Sequence, residues 1–220
     1  MYLSRVEIDI TNRKKMKDLT HLGCYHAWVE DSFSNSSSNE NRPRKLWRID
    51  NIYDKYYLLV LSENKPDTEK LEKYGLKSSV WVKSYDEFLD SLKEGMMAKF
   101  KIKLNTVRAY KDEKSPNKRG RIMPVANEEL NEFLIDKAAR NGFEVKLGEF
   151  EISKIDKEYF MHTDKGETKK SKKDIVSATY EGILTITDLE KFKTSLINGI
   201  GKKKAYGCGF LTIIPEKWKI

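Results

Sequence analysis

At 220 residues, with a formal net charge of +8 and a pI near 9.2, the chain is long enough for one large or two small domains, and its basic excess favours a polyanionic partner. No apolar run approaches the roughly 20 residues that span a bilayer, and the opening residues lack the apolar core of a signal peptide. Two cysteines, Cys24 and Cys208, supply neither a disulfide framework nor a cysteine-only zinc site, so a disulfide-stapled secreted protein is excluded and a cytoplasmic protein with no membrane partner is expected.

Residues 2–10 alternate Tyr2, Val6, Ile8 and Ile10 with Arg5, Glu7 and Asp9, the period of a half-buried strand. Thr11-Asn12 offers an N-cap, and Leu19, Leu22, His26, Val29 and Phe33 then recur at helical spacing. A serine- and asparagine-rich run over 34–39 reads as a loop. Strands are expected over 45–50 and 56–62, then a short helix over 67–74 ended by Gly75, then a strand over 79–83. The order is βαββαβ. After a connecting segment over 85–94 it repeats. Met97 to Leu104 alternates strictly, and 127–141 reads as a helix with Leu130, Phe133, Leu134 and Ala138 on one face, stopped by Gly142. Strands over 143–152 and 175–186 flank a lysine-rich loop, Thr187-Asp188 caps a helix over 189–197, and a last strand from Phe210 stops at Pro215. The expected fold class is α+β, with two tandem ferredoxin-like (βαββαβ) domains over 1–84 and 96–220 joined by a linker over 85–95.

Gly199, Gly201, Gly207 and Gly209 are arranged as two pairs around Lys202-Lys203-Lys204. Such backbone turns sharply or approaches another molecule closely. Lysines beside exposed N–H groups suit a phosphate chain, although a glycine-rich turn with solvated lysines has the same composition. Between Lys99 and Arg121 the only acids are Asp112 and Glu113. Lys101 and Lys103 lie two apart on one strand and share a face. Asn105 and Arg108 extend this segment as candidate polyanion contacts, and Lys118-Arg119-Gly120-Arg121 reads as a basic turn. Arg119 and Arg121 are the strongest phosphate ligands of the set, because guanidinium binds phosphate bidentately. A solvated strand and loop is the ordinary alternative in a chain that is 35% charged. Lys169, Lys170, Lys172 and Lys173 form a second basic cluster on the expected hairpin loop.

The three histidines are His21, His26 and His162. Histidine suits proton transfer because its unperturbed pKa, about 6.5, lies near working pH. His26 falls on the apolar stripe with Leu22 and Val29, where a hydrogen-bonded core histidine is the plain reading. His21 sits about 140° around the same expected helix and faces elsewhere. His162 lies in the lysine-rich hairpin, where a surface or polyanion-contacting role fits. No HExxH or other compact metal-ligating spacing stands out.

The segments MYLSRVEI, FKIKLN, KRGRIMP, YEGILTITDLEKF and GIGKKKAYGCGFLTIIP fall in an order and spacing that resembles the CasE-type CRISPR repeat-RNA endoribonucleases, the processing subunits of type I-E systems. The resemblance covers essentially the whole chain. It implies two ferredoxin-like domains and cleavage of the CRISPR precursor transcript at each repeat hairpin, without metal or cofactor. It further implies that the product is retained within the Cascade complex, so the expected partners are the repeat hairpin RNA and the other Cascade subunits. By the same resemblance His26 lies where the family's catalytic histidine does. Some relatives carry a catalytic tyrosine three residues earlier, where this chain has Gly23, so the neighbouring Tyr25 is the candidate phenol. The alternative from another class is a non-catalytic RNA-binding subunit of a CRISPR ribonucleoprotein, in which His26 belongs to the core.

Overall fold

The computed structural model describes residues 1–33, 43–110, 120–163 and 169–216. The first half runs β1 (Tyr2–Glu7), α1 (Arg13–Asp18), α2 (Leu22–Asp31), β2 (Leu46–Ile52), β3 (Lys55–Ser62), α3 (Thr68–Glu72) and β4 (Trp81–Ser84). Its antiparallel sheet has the order β2-β3-β1-β4. The second half runs β5 (Met97–Asn105), β6 (Val107–Tyr110), β7 (Arg121–Pro124), α5 (Leu130–Arg140), β8 (Phe143–Glu144), β9 (Phe150–Thr163), β10 (Lys170–Ile186), α6 (Leu189–Asn198) and β11 (Thr212–Pro215), after α4 (Asp86–Ser91). Its sheet has the order β11-β5-β10, with β8 and β9 sharing the far side of β10. Setting β5 against β1, β10 against β3 and β11 against β4 gives the same ferredoxin-like order twice. The hairpin β6–β7 is an addition to the second half.

The alternation read from the sequence is what buries each sheet. In β5, Ala98, Phe100, Ile102 and Leu104 are buried, while Lys99, Lys101 and Lys103 take the other face. The first core gathers Val6, Leu22, Trp28, Val29, Leu58, Val60 and Leu71, and draws in Phe160 and Cys208 from the second half. The second core takes Leu46 and Leu61 from the first sheet. Arg48 of β2, 2% exposed, crosses between the sheets. It donates to the Lys101 carbonyl at 2.8 Å, the Phe210 carbonyl at 2.7 Å and the Thr212 hydroxyl at 2.7 Å, and holds Asp50 by two hydrogen bonds of 2.8 Å.

Three expectations are corrected. The single first helix is two: Asn12 caps α1, Leu19 ends it, and α2 starts afresh with His21 as its N-cap. The segment over 85–94 contains α4, whose Leu89 is buried. The lysine-rich stretch from Lys170 is strand, because β9 and β10 stay paired from Phe150–Gly182 out to Thr163–Lys170. Lysines on an exposed hairpin keep the strand period only weakly, so composition there reads as loop.

Candidate functional site

Helix α2 presents Leu22, Trp28 and Val29 to the core and leaves His26 half-buried on its flank. His21 is not on the helix face at all. Its backbone is extended, its Nδ1 accepts the Gly23 N–H at 3.0 Å, and its ring fills the space a side chain at 23 would need. Tyr25 packs between Trp47, stacked at 6.1 Å, and Trp28 at 6.4 Å. Burial pushes its phenol pKa up, with the neighbouring Cys24 and Glu158 adding to the rise.

The His26 ring meets Tyr206 at 5.7 Å, and Tyr206 stacks on Phe160 at 3.8 Å. Tyr206 comes from the glycine-rich loop, at the end of a 3₁₀ turn (Lys204–Tyr206). That turn is fastened to β2, since Trp47 Nε1 donates to the Ala205 carbonyl at 3.1 Å. All four glycines of the loop have positive φ. At three of them a side chain would also collide: a Cβ would stand 2.7 Å from the Leu46 side chain on Gly199, 2.9 Å from the Trp47 ring on Gly207 and 2.3 Å from the Ile200 carbonyl oxygen on Gly209. Beyond Tyr206 opens a depression of about 690 Å³ lined by Phe160, His162, Lys172, Lys173, Lys203 and Tyr206, together with Asp174. Of the sequence candidates, His162 and Lys203 line this depression and His26 stands against its Tyr206 wall, whereas Lys202 and Lys204 are not among its lining residues; Phe160 and Tyr206 were not singled out. Tyr206 had a signal, its position inside the glycine cluster. Phe160 had none beyond strand alternation.

The three loop lysines go to different places. Lys203, with φ +60, holds its ammonium 4.6 Å over the Phe160 ring and 5.7 Å from the Tyr206 ring centre. Lys204 donates to the Asn198 carbonyl at 2.8 Å, beside Arg44, and burial and that guanidinium lower its pKa. Lys202 is exposed near Lys137, whose pKa is pushed down by burial and then by the charges of Arg140, Lys202 and Arg108.

Lys101 and Lys103 of β5 line a second cleft, of about 390 Å³ between the sheets, with Tyr206 common to both linings. Lys101 pairs with Glu181 at 3.1 Å, its register partner on β10, and with Asp50 at 3.7 Å; Lys103 pairs with Glu158 and, at 3.8 Å, with Asp156. Asn105 donates to the Val176 carbonyl at 2.7 Å. Arg108 pairs with Glu129 at 3.3 Å and Asp136 at 3.4 Å. The structure therefore matches these charges internally, which single-strand spacing cannot show. Arg121 is exposed on β7, and Lys118 and Arg119 lie outside the described residues.

The fold has known counterparts. The CRISPR endoribonuclease Cse3 bound to a 19-nt RNA superposes with a TM-score of 0.79 at 23% identity, over 98% of this chain and 100% of that one. Cse3 of Thermus thermophilus, bound to an RNA representing a pre-cleavage complex, gives 0.73 at 20% identity, over 97% and 98%. A chain of a CRISPR RNA-guided surveillance complex gives 0.61 at 22% identity, over 98% and 100%. At these identities the likeness is one of fold. No curated protein matches the sequence. The profile of the family described as CRISPR associated protein, however, matches residues 1–215, spanning both ferredoxin-like halves and the glycine-rich loop between α6 and β11. On that match the chain belongs to the CRISPR associated protein family.

Proposed function

We propose that this chain is a metal-independent endoribonuclease of the cytoplasm that cuts CRISPR precursor RNA within each repeat, at the repeat hairpin, and keeps the product as a subunit of Cascade. Residues 1–84 then carry the proton-transferring group and 96–220 the cationic wall facing it. One observation carries the reading: His26 is half-buried instead of being sealed in the core, and its ring stands 5.7 Å from Tyr206, a wall of an open basic depression. The RNA-bound Cse3 structures and the surveillance-complex chain share this fold from end to end, which supports the assignment of substrate and assembly.

The chemistry asks little of the protein beyond placement. The 2′-hydroxyl beside the scissile phosphate attacks in line with the leaving 5′-oxygen, forming a 2′,3′-cyclic phosphate and releasing a 5′-hydroxyl. One proton leaves the nucleophile and one reaches the leaving oxygen. His26 serves one of these transfers. The lysines of the depression offset the charge that gathers on the phosphorane. An A-form stem hides its base edges in a deep, narrow major groove, so contacts to phosphate and to overall shape dominate binding.

The purified protein should cut a repeat-hairpin RNA in EDTA and leave those two product ends. A 2′-deoxy nucleotide before the cut should abolish cleavage with binding preserved. A requirement for magnesium, or cleavage of the deoxy substrate, overturns the mechanism.

A further inference from the structure

The glycine-rich loop contains three adjacent lysines of the same chemistry, and the fold separates them. Lys204 is committed to the end of α6 through the Asn198 carbonyl, and Lys202 faces the basic end of α5 around Lys137. Of the three, Lys203 alone lines the depression, together with the Tyr206 that the His26 ring contacts. Its backbone sits in the left-handed region, at φ +60 and ψ +33, although it carries a side chain. That conformation is disfavoured for any residue but glycine, asparagine or aspartate. A loop with glycine at four other positive-φ positions had an easy alternative here. The strain therefore points to a task for the side chain.

The surroundings of that side chain identify the task. Its ammonium has no carboxylate partner among the described residues and rests over Phe160 and Tyr206, 4.6 and 5.7 Å from their ring centres. The His26 ring stands 5.7 Å from the same Tyr206 ring. A proton-transfer group and a cation thus flank one aromatic ring, which itself lies against Phe160. The two rings limit where the flexible lysine stem can go, and their faces attract its charge without neutralising it. A carboxylate in their place would hold the lysine equally well and cancel it.

We propose that Lys203 is a catalytic residue that contacts a non-bridging oxygen of the scissile phosphate and stabilises the phosphorane, while Lys202 and Lys204 do not reach that phosphate. This rests on the endoribonuclease reading and assigns one of its roles to one side chain. No bond to lysine forms or breaks. The ammonium keeps its protons and meets charge that grows from ground state to transition state.

The decisive variant is Lys203→Gly. Glycine adopts the left-handed region freely, so the loop keeps its shape and the melting temperature should stay level or rise. Single-turnover cleavage at saturating protein should fall about 10²-fold, the scale seen when one transition-state charge donor is removed. Lys203→Arg should recover part of that loss. A phosphorothioate scan of the scissile position supplies a signature that a structural role lacks. Sulfur at one of the two non-bridging oxygens should slow the wild type, and that penalty should shrink in Lys203→Gly. If Lys203→Gly weakens binding and flattens its salt dependence while the saturated rate holds, Lys203 is an ordinary stem contact and the proposal fails. A fall in melting temperature with an unchanged rate makes it a structural clamp, and the proposal fails again. Wild-type protein that does not cut the RNA at all overturns the endoribonuclease reading and this inference with it.

Discussion

At the scale of single residues, the two histidines near α2 separate by what each touches. His26 stands 5.7 Å from Tyr206, a wall of the depression, and if it carries the proton His26→Ala should slow cleavage by roughly 10²–10⁴-fold, the range of general acid–base catalysis, with RNA affinity nearly unchanged. Single-turnover kinetics at saturating protein read this directly, and a rate that holds while the melting temperature falls returns His26 to the core. His21 instead accepts the Gly23 N–H as the cap of α2, so its loss belongs to stability. His21→Ala should cost about 1 kcal/mol, a melting shift of about 2–4 °C in a chain of this size, and His21→Asn should restore it because asparagine is a strong N-cap. Tyr25, the phenol proposed from sequence, is gripped by Trp28 and Trp47 with a raised pKa. We read it as packing. Tyr25→Phe keeps the stack and should leave cleavage within a few-fold; a loss near that of His26→Ala would restore Tyr25 to the chemistry.

At the scale of elements, both βαββαβ runs were legible because alternation and helical periodicity report burial directly. β5 shows this best, with every second residue in the core. What stayed hidden depends on partners distant in sequence. The break between α1 and α2 follows from the capping geometry of His21, and a histidine cap has no sequence pattern of its own. The length of β9 and β10 is set by their mutual pairing, which their lysines obscure. The fate of Lys101 was decided by Glu181, its register partner 80 positions later. The glycine loop was legible as a sharply turning loop, yet its direction comes from Trp47, which no spacing rule connects to it. That fastening yields an element-level test. Gly207→Ala pushes a Cβ to 2.9 Å from the Trp47 ring at φ +79, so roughly 1–3 kcal/mol of stability should be lost and the 3₁₀ turn displaced. Because the turn carries Lys203 and Tyr206, cleavage should fall beyond the unfolded fraction, and an unchanged rate in the folded fraction would uncouple loop shape from chemistry. The basic hairpin behaves differently. Lys172→Ala should weaken RNA binding and reduce the log–log salt slope by a little under one unit, the value for one phosphate contact.

At the scale of the whole molecule, the candidate site draws on both halves, since His26 comes from the first and Phe160, Lys203 and Tyr206 from the second. Arg48 governs that meeting. Its guanidinium leaves β2, is 2% exposed, and bonds the Lys101 and Phe210 carbonyls and the Thr212 hydroxyl across the junction. Burial alone would raise the pKa of Asp50, but the hydrogen bonds and charge of Arg48, with Lys101 behind them, hold it below the usual carboxylate value. A carboxyl depressed in the folded state adds stability that is complete above its unfolded pKa, about 3.9, and is lost as pH falls toward the lower folded value. The wild type should therefore keep the Arg48–Asp50 contribution at neutral pH and lose it below about pH 4. Arg48→Ala removes the partner and leaves Asp50 buried beside Lys101 alone, together with three acceptors that no longer have their donor. Breaking a buried pair in this way costs about 3–5 kcal/mol, and denaturant unfolding at pH 7 should show it. The double variant Arg48→Met, Asp50→Leu removes both charges and should regain much of that loss, because a buried ion pair is often matched in stability by apolar side chains of similar volume. Its cleavage rate is the sharper measurement. Methionine cannot bond the Phe210 carbonyl, three residues after Gly207, so the glycine-rich loop loses one of its ties to the first sheet. If the junction positions the loop as well as stabilising the fold, the double variant recovers stability and still cuts slowly; recovery of both would confine Arg48 to stability.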